Sequence, residues 1–158
     1  YAGRDHHIVV VIHGEDRGFL GASAAEANRS LFEPFGDAGM EAFRSFGLDV
    51  PDAEMFVSDG EVIAETDLTV LHTPGHSAGS ICLYSEPRQA LFSGDTLFFN
   101  TIGRTDVANG DEASLHAAVA DRLFALPPET RVFPGHGPLT SIEREIRNNP
   151  MVSEGATI

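Results

Sequence analysis

Three short loops constrain this chain more than any other feature of its sequence. In Thr73-Pro74-Gly75-His76, Phe92-Ser93-Gly94-Asp95 and Phe133-Pro134-Gly135-His136-Gly137, a β-like run stops, a glycine bends the backbone, and a side chain able to bind metal stands next to it. Imidazole and carboxylate are the usual ligands of catalytic zinc and iron sites, and a neighbouring glycine lets the backbone come close to the ion. One such loop reads as an ordinary turn, and an aspartate after glycine as a cap. Three of them, each at the C-terminal end of a β-run, are hard to produce by chance, and as ligands of one ion or an adjacent pair His76, Asp95 and His136 are predicted to meet in space.

The rest of the chain reads as alternating strands and helices. Residues 8–12 (IVVVI) form a β-branched run expected to be a strand buried on both faces, ended by His13-Gly14-Glu15-Asp16. Residues 18–46 are helix or loop. After the Asp59-Gly60 turn, residues 61–71 alternate as one or two strands, and residues 80–84 and 90–92 pair around Glu86-Pro87-Arg88. Leu115, Val119, Leu123 and Leu126 mark an amphipathic helix over residues 111–126, stopped by Pro127-Pro128. A strand over 130–133 and a helix from Ser141, with Arg144 and Arg147 toward its C-terminal end, complete the pattern.

Composition narrows the partners. The 158 residues, 42% apolar and 22% charged, suit a single domain with a real core. Ten arginines, no lysine and 24 acidic residues give a net charge of −14, which repels nucleic-acid phosphates and anionic membrane surfaces. Solubility at high ionic strength, or a GC-rich genome that replaces lysine by arginine, would account for this balance. Cys82 is the only cysteine, so an internal disulfide is excluded and the cytoplasm is the default location. No apolar run approaches the ~18 residues that a membrane helix requires.

The loops also carry a family resemblance. Thr73-Pro74-Gly75-His76-Ser77-Ala78-Gly79-Ser80, Phe92-Ser93-Gly94-Asp95-Thr96-Leu97-Phe98, Gly103-Arg104-Thr105-Asp106 and Phe133-Pro134-Gly135-His136-Gly137-Pro138 resemble, in order and interval, the later motifs of the metallo-β-lactamase superfamily. Gly-Arg-Thr-Asp, the Leu-Pro-Pro helix end, Pro-Gly-His-Gly-Pro and the Arg-Asn-Asn-Pro near the end are most similar to the small bacterial branch of the glyoxalase II (hydroxyacylglutathione hydrolase) group. The resemblance implies an α/β fold, the αββα sandwich, with a metal site at one edge of two packed sheets. It implies that His76 ligates one metal, Asp95 bridges two and His136 ligates the second, with zinc as the ion, one or two in number, and iron or manganese as alternatives. Arg104 falls where relatives carry a basic residue facing the glutathione moiety, its alternative being a solvated or structural arginine. His72 reads as packed or as supporting a ligand, His116 as an exposed helical residue, and Cys82 as mid-strand and no nucleophile.

The superfamily's His-x-His-x-Asp-His signature does not occur in this chain. Tyr1-Ala2-Gly3-Arg4-Asp5-His6 matches only its last two positions, and residues 1–7 read as a helix end leading into the first strand. On this reading residues 1–158 are a single domain, the C-terminal portion of the fold. One sheet face is then left for a missing segment or a second copy to cover. The implied activity is hydrolysis of a small-molecule thioester of the S-acyl-glutathione kind through a metal-bound hydroxide, low or nil in this exact chain. A persulfide dioxygenase using one iron in the same fold, and a non-catalytic fragment, are the alternatives.

Overall fold

The computed structural model describes residues 9–24, 29, 32–46, 51–106 and 109–153. They fall into two compact units, Tyr1–Val57 and Ser58–Ile158.

In the first unit, strand β1 (Val11–His13) pairs in parallel with β2 (Met55–Val57), Ile12 lying opposite Phe56. Short 3-10 turns follow β1, and helix α1 (Gly36–Phe46) carries Asp37 in its first turn and Arg44 in its last, the arrangement that complements the helix dipole. The strand expected over residues 8–12 and buried on both faces is instead a half-buried one starting at Val11, with Val9 exposed before it. Among the described residues its sheet has two strands, and β2 is the neighbour that β1 has there. A β-branched run reports strand propensity, and cannot by itself report how many neighbours will cover the strand.

The second unit is built on a five-stranded sheet. Strands β3 (Thr69–His72), β4 (Ile81–Ser85) and β5 (Ala90–Gly94) form an antiparallel meander, with Leu71 opposite Cys82 and Leu83 opposite Phe92. The expected hairpin of residues 80–84 and 90–92 is therefore present, closed at residues 86–89. Strand β8 (Arg131–Pro134) lies parallel to β5, and β9 (Thr140–Ser141) closes the edge. Parallel pairing needs a crossover. Here it carries a small hairpin, β6 (Leu97–Phe98) with β7 (Thr101–Ile102), and then helix α2 (Glu112–Ala117). Helices α3 (Ile142–Asn148) and α4 (Pro150–Ser153) end the described chain.

Helix α2 continues as a π-helix, Ala118–Leu123, in which Phe124 N–H reaches Val119 O at 3.0 Å. Apolar residues spaced by four drift about 40° per step around a regular α-helix. The wider π turn lessens that drift, and Leu115, Val119 and Leu123 are all fully buried. They join Leu91, Val132 and Ile142, also inaccessible, in one core. Asp111 caps the helix, its carboxylate accepting the Ser114 N–H at 2.7 Å, and Ser141 caps α3 in the same way. On the other face of the sheet, Phe92 is 45% exposed and stacks on Phe133 at 5.3 Å. None of the described helices is long and apolar enough to cross a membrane.

This packing sets a stability contrast. Leu123→Ala should lower the free energy of unfolding by about 2–5 kcal/mol, the usual range for truncating a fully buried leucine. Leu139→Ala, at an exposed position, should stay within about 0.5 kcal/mol of the parent. Urea titration followed by circular dichroism measures both, and equal losses would show that the core is misassigned.

Candidate metal centre

Each of the three loops delivers its side chain by a different backbone device. After β3, Gly75 takes φ +138°, and a Cβ there would meet the backbone of Leu115 at 2.4 Å. Only glycine lets the loop lie against the first turn of α2, where Gly75 O accepts from Asp111 N–H at 2.8 Å. After β5, Ser93 anchors the turn through Oγ–H to Leu97 O at 2.8 Å, and Asp95 projects from it. After β8, Gly135 N–H donates to Gly94 O at 2.8 Å, which ties the third loop to the second. A Cβ at Gly135 would lie 2.7 Å from Asp95 Oδ1, so the carboxylate occupies space that any other residue would fill.

The structure brings His76, Asp95 and His136 together. Asp95 Oδ2 lies 3.8 Å from His76 Nε2, and Asp95 Oδ1 lies 3.7 Å from His136 Nε2. Both separations are too long for hydrogen bonds. They are close to the spacing of two donors that share an ion, which at bond lengths of about 2.1 Å and a tetrahedral angle is about 3.4 Å. His76 Nδ1 lies 2.8 Å from Arg104 O. A carbonyl can only accept, so Nδ1 carries a proton, and in the neutral ring this leaves Nε2 as the lone-pair nitrogen facing Asp95. The ring of Phe98 packs on His136 with centroids 4.5 Å apart. Among the described residues, no three His, Cys, Asp or Glu side chains form a cage for one ion. The arrangement is two pairs sharing one carboxylate, each carboxylate oxygen facing its own imidazole.

These groups open into a cavity of about 350 Å³ whose other walls include Phe98, Phe99, Ile102, Arg104 and Pro138. Arg104 grips Asp106 with two hydrogen bonds, Nε to Oδ1 at 2.6 Å and Nη2 to Oδ2 at 2.9 Å. That pair holds the Asp106 carboxyl below the usual range. His72 does not line the cavity: its ring Nε2 lies 2.8 Å from Ala78 O, and its backbone N–H donates to Asp59 Oδ1. His116 sits on α2 beside Glu112, 3.9 Å away. Asp5 and His6 lie outside the described residues.

Sequence reading alone missed the aromatic wall. Phe98 and Phe99 lie three and four residues after Asp95, and the two-residue turn Phe99-Asn100, whose hairpin folds Phe98 over His136, was the signal available. It also missed Arg122, whose guanidinium binds His72 O at 3.1 Å and Asp59 Oδ1 at 2.7 Å, bracing the strand end that leads to His76. Burial works to raise the Asp59 pKa, but the His72 N–H and Arg122 outweigh it and hold the carboxyl low.

A family model described as the metallo-beta-lactamase superfamily matches residues 4–136. Hydroxyacylglutathione hydrolase GloC of Haemophilus influenzae is 33% identical over 134 residues, covering 81% of this chain and 61% of that protein. Among solved structures, BLEG-1 B3 metallo-beta-lactamase is 33% identical with a TM-score of 0.74, over 92% of this chain and 66% of the other. TTHA1623 in a di-iron-bound form is 34% identical with a TM-score of 0.65, over 90% and 64%. The chain spans about half the length of several curated relatives that it matches.

Cys82 lies beneath the same loops, its sulfur within hydrogen-bond reach of Thr73 and of the Ser93 carbonyl, and does not line the cavity. It is fully buried, its sulfur 3.3 Å from Thr73 Oγ1, and burial pushes the thiol pKa up to about 11. At pH 8 about one molecule in a thousand would carry the reactive thiolate. A thiol-specific reagent should therefore leave the folded protein unmodified and label one group after denaturation. Rapid labelling of the native chain would place Cys82 at an accessible surface instead.

Proposed function

We propose that this chain, which belongs to the metallo-β-lactamase superfamily, carries one side of a two-ion site of a metal-dependent thioesterase acting on S-acyl-glutathione substrates. The observation that carries this reading is the Asp95 carboxylate, with one imidazole nitrogen facing each oxygen at 3.8 and 3.7 Å. His76 and Asp95 Oδ2 would hold one ion, and His136 and Asp95 Oδ1 the other. Zinc suits this donor set, as does iron, and likeness to a di-iron protein supports a site for two ions. Divalent ions held there would supply Lewis acidity toward a carbonyl oxygen and would acidify water.

The chain's own residues arrange the rest. Arg104 O fixes the His76 tautomer, and Phe98 limits the rotation of His136 by packing on its ring. Phe98, Phe99 and Ile102 make one wall apolar, which suits the acyl chain and sulfur of a thioester and thins the water around its carbonyl. Asp106 occupies the Nε and one Nη2 proton of Arg104. The remaining guanidinium protons suit a carboxylate such as those of glutathione, and Arg104 lines the cavity. Likeness to a hydroxyacylglutathione hydrolase supports that choice of thiol carrier.

Two measurements test the reading. After dialysis against metal-free buffer, Asp95→Ala should retain at least about tenfold less zinc than the parent, because it removes a ligand from both ions. His72→Ala should retain the parent's content. Elemental analysis decides between them, and equal retention in the two variants would refute the ligand assignment. With zinc and S-acetylglutathione, the protein as its gene encodes it should release thiol, and Arg104→Ala should raise KM about fivefold with little change in kcat. Zinc bound at the site without zinc-dependent thiol release would reject the thioesterase while leaving the metal centre intact.

A further inference from the structure

Glu145 is a carboxylate with no accessible surface, on helix α3 and outside the lining of the cavity. Burying a charge is costly unless it is fully partnered. Glu145 has four donors. Oε2 accepts from Asn100 N–H at 2.9 Å and from Asn149 Nδ2 at 2.9 Å, and Oε1 accepts from Arg144 Nη1 at 2.7 Å and from the Thr140 hydroxyl.

These donors come from both sides of the cavity. Asn100 is the tip of the β6–β7 hairpin, in the left-handed region at φ +60°, between the wall residues Phe99 and Thr101. Thr140 follows the segment of His136, Gly137 and Pro138, which forms the facing wall. The same cluster adds further ties to the hairpin. Asn149 Nδ2 donates to Thr101 O at 3.1 Å, and Arg144 Nη1 donates to Asn100 Oδ1 at 2.8 Å. The Arg144 guanidinium also lies 3.6 Å from the centre of the Phe99 ring. The two walls meet where Phe98 packs on His136 at 4.5 Å.

We propose that Glu145 is a positioning residue: one buried carboxylate holds the hairpin and the His136 loop at a fixed separation, and thereby sets the contact of Phe98 with His136. A helix-packing role alone would need neither the Asn100 nor the Thr140 bond, since those partners belong to the two cavity walls. The functional meaning of this contact rests on the metal centre proposed above.

Ring resonances of the histidines test this in the full chain, at one fixed pH. Protons near an aromatic face feel its ring current, which falls steeply with distance, so His136 reports on Phe98 while His72 and His116 serve as controls. Glu145→Gln keeps an acceptor for Asn100 and loses the charge paired with Arg144, and Glu145→Ala loses every bond. The expected result is a His136 shift that grows from Glu145→Gln to Glu145→Ala and is several times that of His72 or His116. Thr140→Val, which cuts one wall from the carboxylate, should move His136 in the same selective way. If Glu145→Ala does not fold, the other two variants decide. An unmoved His136 in folded variants, or equal movement of all three histidines, would overturn the proposal. The readout needs no turnover, so an absence of thiol release would fail the thioesterase and leave this result standing.

Discussion

A carboxylate caught between two imidazoles at distances too long for hydrogen bonding is the constraint to which the rest of the second unit answers. Asp95 stands at the end of β5, with His76 and His136 each within 4 Å of a different oxygen. No hydrogen bond from either ring satisfies those oxygens. Held apart in this way, a carboxylate and two imidazole nitrogens form a site that would gain from positive charge placed between them. Every nearby device serves that spacing. Gly135 leaves room for the Asp95 carboxylate, Gly75 seats its loop on α2, and the Arg104 carbonyl turns the His76 lone pair inward.

The topology explains how three distant loops reach one edge. Strands β5 and β8 run parallel and adjacent, so their C-terminal ends, carrying Asp95 and His136, emerge side by side. Strand β3 enters antiparallel to β4, which is antiparallel to β5, and so its C-terminal end reaches the same edge with His76. Because a parallel pair requires a crossover, the chain between β5 and β8 has to leave the sheet and return. It supplies the β6–β7 hairpin that walls the cavity and the helix that covers the core. Arginine serves this framework as a two-pronged donor. Arg104 grips Asp106, and Arg122 bridges Asp59 and the His72 carbonyl, geometries that a lysine ammonium would not reproduce.

Much of this was legible in the sequence because it is local. Strand ends followed by Pro-Gly-His or Ser-Gly-Asp are short-range patterns, and the spacing of Leu115, Val119 and Leu123 declares a buried helical face. What stayed hidden depends on contacts between residues far apart in the chain. The π turn arises from fitting those three side chains into one core. That β1 is half-buried, with β2 as its neighbour among the described residues, is a matter of tertiary packing. Phe98 becomes a wall only because the hairpin folds it onto His136, 38 residues later, and Glu145 reaches Asn100 across a separation of 45. The spacing of Asp95 from two imidazoles belongs to the same class: sequence can nominate the three residues, and only the fold can set each carboxylate oxygen before its own ring.

The most direct test is anomalous X-ray scattering from crystals of this protein grown with zinc, recorded on both sides of the zinc absorption edge. The expected result is two peaks flanking the Asp95 carboxylate, one between Oδ2 and His76 Nε2 and the other between Oδ1 and His136 Nε2. Zinc found only elsewhere, or Asp95 turned away from both imidazoles with no peak beside it, would contradict the assignment of these three residues as a shared metal centre.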